Sequence, residues 1–173
     1  MTKNPLKILI YFIFYVALQV LIIDNIHLFR IVTPFLYLYV IVKLPVNISR
    51  SQVILISFFL GIIIDIFSNT LGMHAAACSI VGFLRNPLMH SLSSKEIAEG
   101  DNPSFKTLGT GSFIKYVTSL IVLHHVTLFL IESLSLFDPA FLLLRIFLCV
   151  ILTVLLIVIV EAFHVDRKGR EAH

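Results

Sequence analysis

The chain has 173 residues, 58% of them hydrophobic and 13% charged, against about 45–50% and about 25% in ordinary soluble domains. At a mean hydropathy of +1.01 a soluble domain of this size could not hide its apolar surface, which excludes a cytosolic enzyme, a disordered regulator and a nucleic-acid-binding domain. The net charge of +3 takes its meaning from where the charges fall. The composition specifies an all-α, polytopic integral membrane protein.

A helix needs about 20 apolar residues to cross a hydrocarbon core of about 30 Å. That ruler predicts about six transmembrane helices in a single membrane domain, 1–173. The first, 7–23, follows Lys3 and Lys7 as a signal peptide would. It lacks a small-x-small cleavage site and further spans follow, so it reads as a retained helix. The second, 28–44, is short, carries Pro34 and stops at Pro45; the third is 52–67. The fourth, 72–90, is rich in small residues and weakest by hydropathy. A polar stretch, 91–112, follows as a flexible loop with at most one helical turn, around Lys95–Glu99. The fifth span is 113–133 and the sixth 140–163, long enough to tilt.

Lys and Arg in short loops mark the cytoplasmic side. They occur in the N-terminal tail (Lys3, Lys7), after span two (Lys43, Arg50), after span four (Lys95, Lys106, flanked by Arg85 and Lys115) and at the C-terminus (Arg167, Lys168, Arg170). The alternate connections, 24–27, 68–71 and 134–139, have none. Both termini are therefore expected in the cytoplasm. Tyr11, Tyr15, Tyr37, Tyr39 and Tyr116 are the expected interfacial anchors, because the chain has no Trp.

No catalytic or metal-binding set emerges. Segment 100–107 half resembles a phosphate loop, but Phe105 stands where glycine must precede the lysine. His124 and His125 are adjacent, so they point about 100° apart on a helix and form no chelating face. They are expected to hydrogen-bond neighbouring helices. Ser57, Ser79 and Ser119 lie in spans without a nucleophile elbow and read as helix-bridging hydroxyls. Cys78 and Cys149 sit in apolar runs, which offers neither a disulfide framework nor a zinc ribbon. In the fourth span, Gly72/Ala76, Ala75/Ser79 and Cys78/Gly82 are spaced i, i+4. Small residues so placed allow close helix packing, with Ala75, Ala76, Ser79 and Gly82 as the predicted face.

The stretch 58–85, FFLGIIIDIFSNTLGMHAAACSIVGFLR, resembles the signature region of the rod shape-determining MreD family. Gly61-x-x-x-Asp65 closes one helix, a turn ends in Leu71-Gly72, small residues open the next helix, and Arg85 lies near its far end. The resemblance implies a non-enzymatic, cofactor-free component of the bacterial cell-wall elongation machinery in the cytoplasmic membrane. Its members work beside MreC, the direct partner, and with MreB, RodA and a penicillin-binding transpeptidase. It also implies a fold similar to the substrate-binding membrane subunits of energy-coupling-factor transporters. The alternative function is therefore a vitamin-binding subunit of that kind, using the outward ends of the helices. The polar residues expected at that level are Asp65, His74, Glu132 and Arg145, with Asp24, Arg30 and Asp138 at the rim. Asp65 and Arg145 fall at nearly the same depth. Direct pairing of the two, an Arg145–Glu132 pair, and an Arg145 that snorkels to the headgroups all fit that spacing.

Overall fold

The computed structural model describes residues 5–23, 32–93, 98, 100–133 and 138–170. Helix α1 (Pro5–Leu18) runs on through a π-helical turn (Gln19–Ile23). Then follow α2 (Leu38–Val42), α3 (Arg50–Ser68), α4 (Met73–Leu92), α5 (Phe105–Leu108), α6 (Thr110–Glu132) and α7 (Pro139–Arg170). The described residues contain no strand. Three helices are long and apolar enough to cross a membrane: α3, α6 and the Pro139–His164 part of α7. Along α7, Leu143, Phe147, Ile151, Leu155, Ile159 and Phe163 form an exposed stripe at helical spacing. A stripe of this length in water would drive aggregation; against lipid tails it is neutral.

Local signals set the boundaries. Ser49 and Gln52 form a reciprocal capping box that opens α3. The helix closes on Asn69 in the left-handed region, φ 54°. Gly72, φ 77°, then turns the chain into α4, a conformation that favours glycine.

The second predicted span is corrected. Its described part is no spanning helix: Val32–Leu36 is non-helical and α2 is five residues long. Pro34 biases the preceding residue away from helix, and Pro45 stops the run. Every residue from Pro34 to Val42 is buried inside the protein. Backbone outside a long helix is tolerated at membrane depth only when the protein itself satisfies it, and side chains do so here. At the front, Gln19 donates to the Pro34 carbonyl at 3.0 Å and accepts the Leu36 and Tyr37 amides at 2.8 and 3.4 Å. The Phe35 amide donates to Thr153 Oγ1 at 3.1 Å. At the back, Arg85 Nε donates to the Ile41 carbonyl at 2.9 Å and its Nη2 to the Leu44 carbonyl. Tyr116 donates to Val42 O at 3.4 Å, and Asn102 donates to Lys43 O.

Further corrections follow from burial. Tyr15, Tyr37, Tyr39 and Tyr116 are core residues, not interfacial anchors. Ser79 and Ser119 donate to carbonyls of their own helices, so they bridge nothing, and Ser57 Oγ has no partner among the described residues. The short helix after α4 is α5, beyond the stretch expected to turn. Lys3, Asp24, Arg30, Lys95, Glu96 and Glu99 lie outside the described residues.

Candidate functional site

The α3–α4 corner is built by the two residues of the Gly61-x-x-x-Asp65 pattern. An ideal Cβ on Gly61 would stand 2.4 Å from Ala75 Cα and 2.5 Å from the His74 carbonyl oxygen, so only glycine permits this approach. One turn later the Asp65 carboxylate lies across the start of α4. It accepts the His74 amide at 3.0 Å, the Ala75 amide at 2.9 Å and the Thr70 hydroxyl. Gly72, at the N-cap position, has no side chain to do this. The acid therefore caps a helix to which it does not belong, and its charge faces the positive end of the helix dipole.

The predicted packing face divides in two. Ala75 and Gly82 are buried against α3, Gly82 with its would-be Cβ 2.6 Å from Ser57 Oγ. Ala76 is exposed and Ser79 half-buried, whereas Cys78 is fully buried. Leu71 is fully exposed at the turn. Arg85, by contrast, is fully buried, and its guanidinium serves the carbonyls behind α2.

Beside the corner lies a cavity of about 430 Å³. It collects three of the four residues predicted to cluster: His74, Glu132 and Arg145. Asp65 is absent from its lining, being engaged with α4, and faces a separate shallow depression with Thr70 and Gly72. Arg145 Nη1 pairs with Glu132 Oε1 at 2.8 Å, and its guanidinium carbon stands 4.4 Å from the centroid of Phe129. Asp138, expected at the rim, instead caps α7, accepting the Ala140 amide at 3.1 Å.

From the cavity a polar chain runs into the core. Tyr37 Oη sits 2.8 Å from His74 Nδ1 and 2.9 Å from His124 Nε2. A phenol has one proton, so it donates to one ring and accepts from the other. His124 Nδ1 is buried without a partner among the described residues. His125 Nδ1 lies 2.8 Å from the Ile121 carbonyl and must carry the proton, which leaves Nε2 to accept from Thr153 at 3.4 Å. At the opposite end, Lys43 pairs with the fully buried Glu161 at 3.0 Å, and Tyr39 donates to the same carboxylate at 2.6 Å. Gln19, Thr153 and Glu161 were not singled out from the sequence, and Tyr37, Tyr39 and Lys43 were read there only as interfacial anchors and a loop cation. The available signal was their polarity within otherwise apolar runs.

No group of three or more His, Cys, Asp or Glu able to hold a metal occurs among the described residues. The described residues form an all-helical fold with three helices long and apolar enough to cross a membrane, a capped α3–α4 corner and a mixed-charge cavity beside it. No family model, curated protein or solved structure matches the chain.

Proposed function

We propose that the chain is an MreD-type, non-enzymatic component of bacterial cell-wall elongation. In this reading it lies in the cytoplasmic membrane with both termini inside, and it binds and positions MreC next to MreB, RodA and a penicillin-binding transpeptidase. The observation that carries the reading is the corner itself. Gly61, Asp65 and Gly72, which bear the resemblance, act there as one unit: close approach, cap and turn. A rigid corner of this kind suits a scaffold, whose work is to hold a partner at a fixed angle. The alternation of Lys- and Arg-bearing loops supports the orientation. Depletion tests the proposal. Rounded, widening cells, together with loss of MreC from complexes purified through this chain, are the expected result. Unchanged shape with a new vitamin requirement would overturn it in favour of a transporter subunit.

A further inference from the structure

We propose that the Arg50–Phe83 stack is the headgroup clamp of a site for an anionic phospholipid on the α3–α4 face. The guanidinium carbon of Arg50 stands 3.9 Å from the centroid of the Phe83 ring. Arg50 is exposed, and its side chain makes no hydrogen bond or ion pair among the described residues. Stacking holds the plane of the guanidinium and occupies its face, so the five N–H donors around its edge stay open. A phosphate takes two such donors at once. The position is as telling as the chemistry. Arg50 opens α3, one of the helices long and apolar enough to cross a membrane. Gly82, beside Phe83, lies against Val53 and Ser57, so the charge is folded back over the first turns of α3. A cation with only water to meet would extend past the helix end, where its hydration is complete. Here it is turned toward an apolar ring at the edge of a span, the level at which headgroup phosphates lie.

The two helices that form this face carry one carboxylate, Asp65, which sits at their far end and is engaged with the α4 amides. Asp101, brought to the Arg50 end by the bond from the Val46 amide to its carbonyl, forms no ion pair among the described residues. Lys106 and Lys115, near the starts of α5 and α6 at the same end, are exposed and equally without ion pairs among the described residues. The anion must therefore come from a partner. An apolar bed beneath the charge says which kind. Phe83 is 48% exposed, and Ile80, three residues deeper on the same side of α4, is 40% exposed. A lipid meets both features, its phosphate on Arg50 and an acyl chain along Phe83 and Ile80. An acidic peptide would answer the charge and leave the bed uncovered. The site goes beyond the cell-wall role, and it is tested on purified protein, independently of any growth phenotype.

The experiment is native mass spectrometry of the full chain in a non-ionic detergent, with lipid added at matched concentrations. The probes are dioleoyl-phosphatidylglycerol and dioleoyl-phosphatidylcholine, which share their chains and differ in net charge. The unaltered chain should retain the anionic lipid about fivefold or more over the zwitterionic one, the factor that a basic residue at an anionic headgroup supplies. Arg50→Gln should remove most of that preference. Arg50→Lys keeps the charge and loses the planar fork, and it should fall between the two. Phe83→Leu keeps an apolar bed but releases the guanidinium, and should lower retention of the anionic lipid about twofold or more. The double variant Lys106→Gln, Lys115→Gln should keep the preference. Equal retention of the two lipids by the unaltered chain overturns the proposal, and that comparison needs no variant to fold. So does a full preference that survives in both Arg50→Gln and Arg50→Lys, or one that vanishes in the double lysine variant alone.

Discussion

Gly61 and Ala75 bring the backbones of α3 and α4 into direct contact, with room for a hydrogen and no room for a methyl group. The obstacle is main chain, Ala75 Cα and the His74 carbonyl, and cannot rotate aside. Gly61→Ala must push the helices apart and pull the α4 amides off Asp65. A loss of about 1–3 kcal/mol or more is expected, read as a lower melting temperature of the purified protein. Gly82→Ala should be milder. It meets first the Ser57 side chain, at 2.6 and 2.9 Å, and Ser57→Gly in the same chain should recover much of the loss.

Charge reversal separates the two acids near Arg145. Asp65 caps α4 and Glu132 holds the arginine, so the direct Asp65–Arg145 pair is not formed. Asp65→Arg with Arg145→Asp should therefore accumulate no better than Asp65→Arg alone. Glu132→Arg with Arg145→Glu should match the unaltered chain. Asp65→Ala orphans two amides and should cost about 1–3 kcal/mol. Arg145→Ala opens only a half-exposed pair, worth about 0–1 kcal/mol. Equal losses for the two alanine variants would contradict this assignment.

The broken segment before α3 depends on a few hydrogen-bonding side chains. Thr153→Val keeps the shape but strands the Phe35 amide, and Gln19→Leu strands the Pro34 carbonyl and two amides. Each stranded group should cost about 1–3 kcal/mol, so Gln19→Leu should melt well below Thr153→Val. Arg85→Lys keeps the charge and loses the planar fork that reaches two carbonyls. It should be less stable than the parent, as measured by the same melting assay.

Cysteine labelling tests the orientation. Cys78 and Cys149 are buried and should stay silent toward an impermeant thiol reagent. Ser68 and Asn47 are exposed at opposite ends of the α3 region. A cysteine at Ser68 should react from outside intact cells, and one at Asn47 only after the cells are opened. Labelling of Asn47 from outside would invert the topology. Asn102 is unsuitable as a reporter, because it is buried and bonded to Lys43.

Hydropathy located α3, α6 and α7 closely, because a helix facing lipid on one side carries a long apolar run. It misread 28–44 because burial by protein and burial by lipid look alike in a window of apolar residues. The distinguishing clue was local: two prolines bounding a run too short to span. The choice among partners for Arg145 was not legible, since depth along a helix axis says nothing about the angle around it. Small-residue spacing found Ala75 and Gly82 but placed Ala76 on the same face. Close contact with α3 is made at Ala75 and Gly82, seven residues apart, a line the i, i+4 pairs only partly traced.

The hydrogen bond between Phe35 and Thr153 spans 118 residues of sequence. At synthesis rates of about 5–20 residues per second, the threonine leaves the ribosome about 6–24 s after the phenylalanine. Throughout that interval the Phe35 amide lacks its native acceptor, and the segment around it cannot settle among lipids with its backbone unanswered. Arg85, Tyr116 and Asn102 also arrive later than the carbonyls they serve. The stretch therefore completes its native hydrogen bonds only once the last helix is in place. The part of the chain that is made early is finished late.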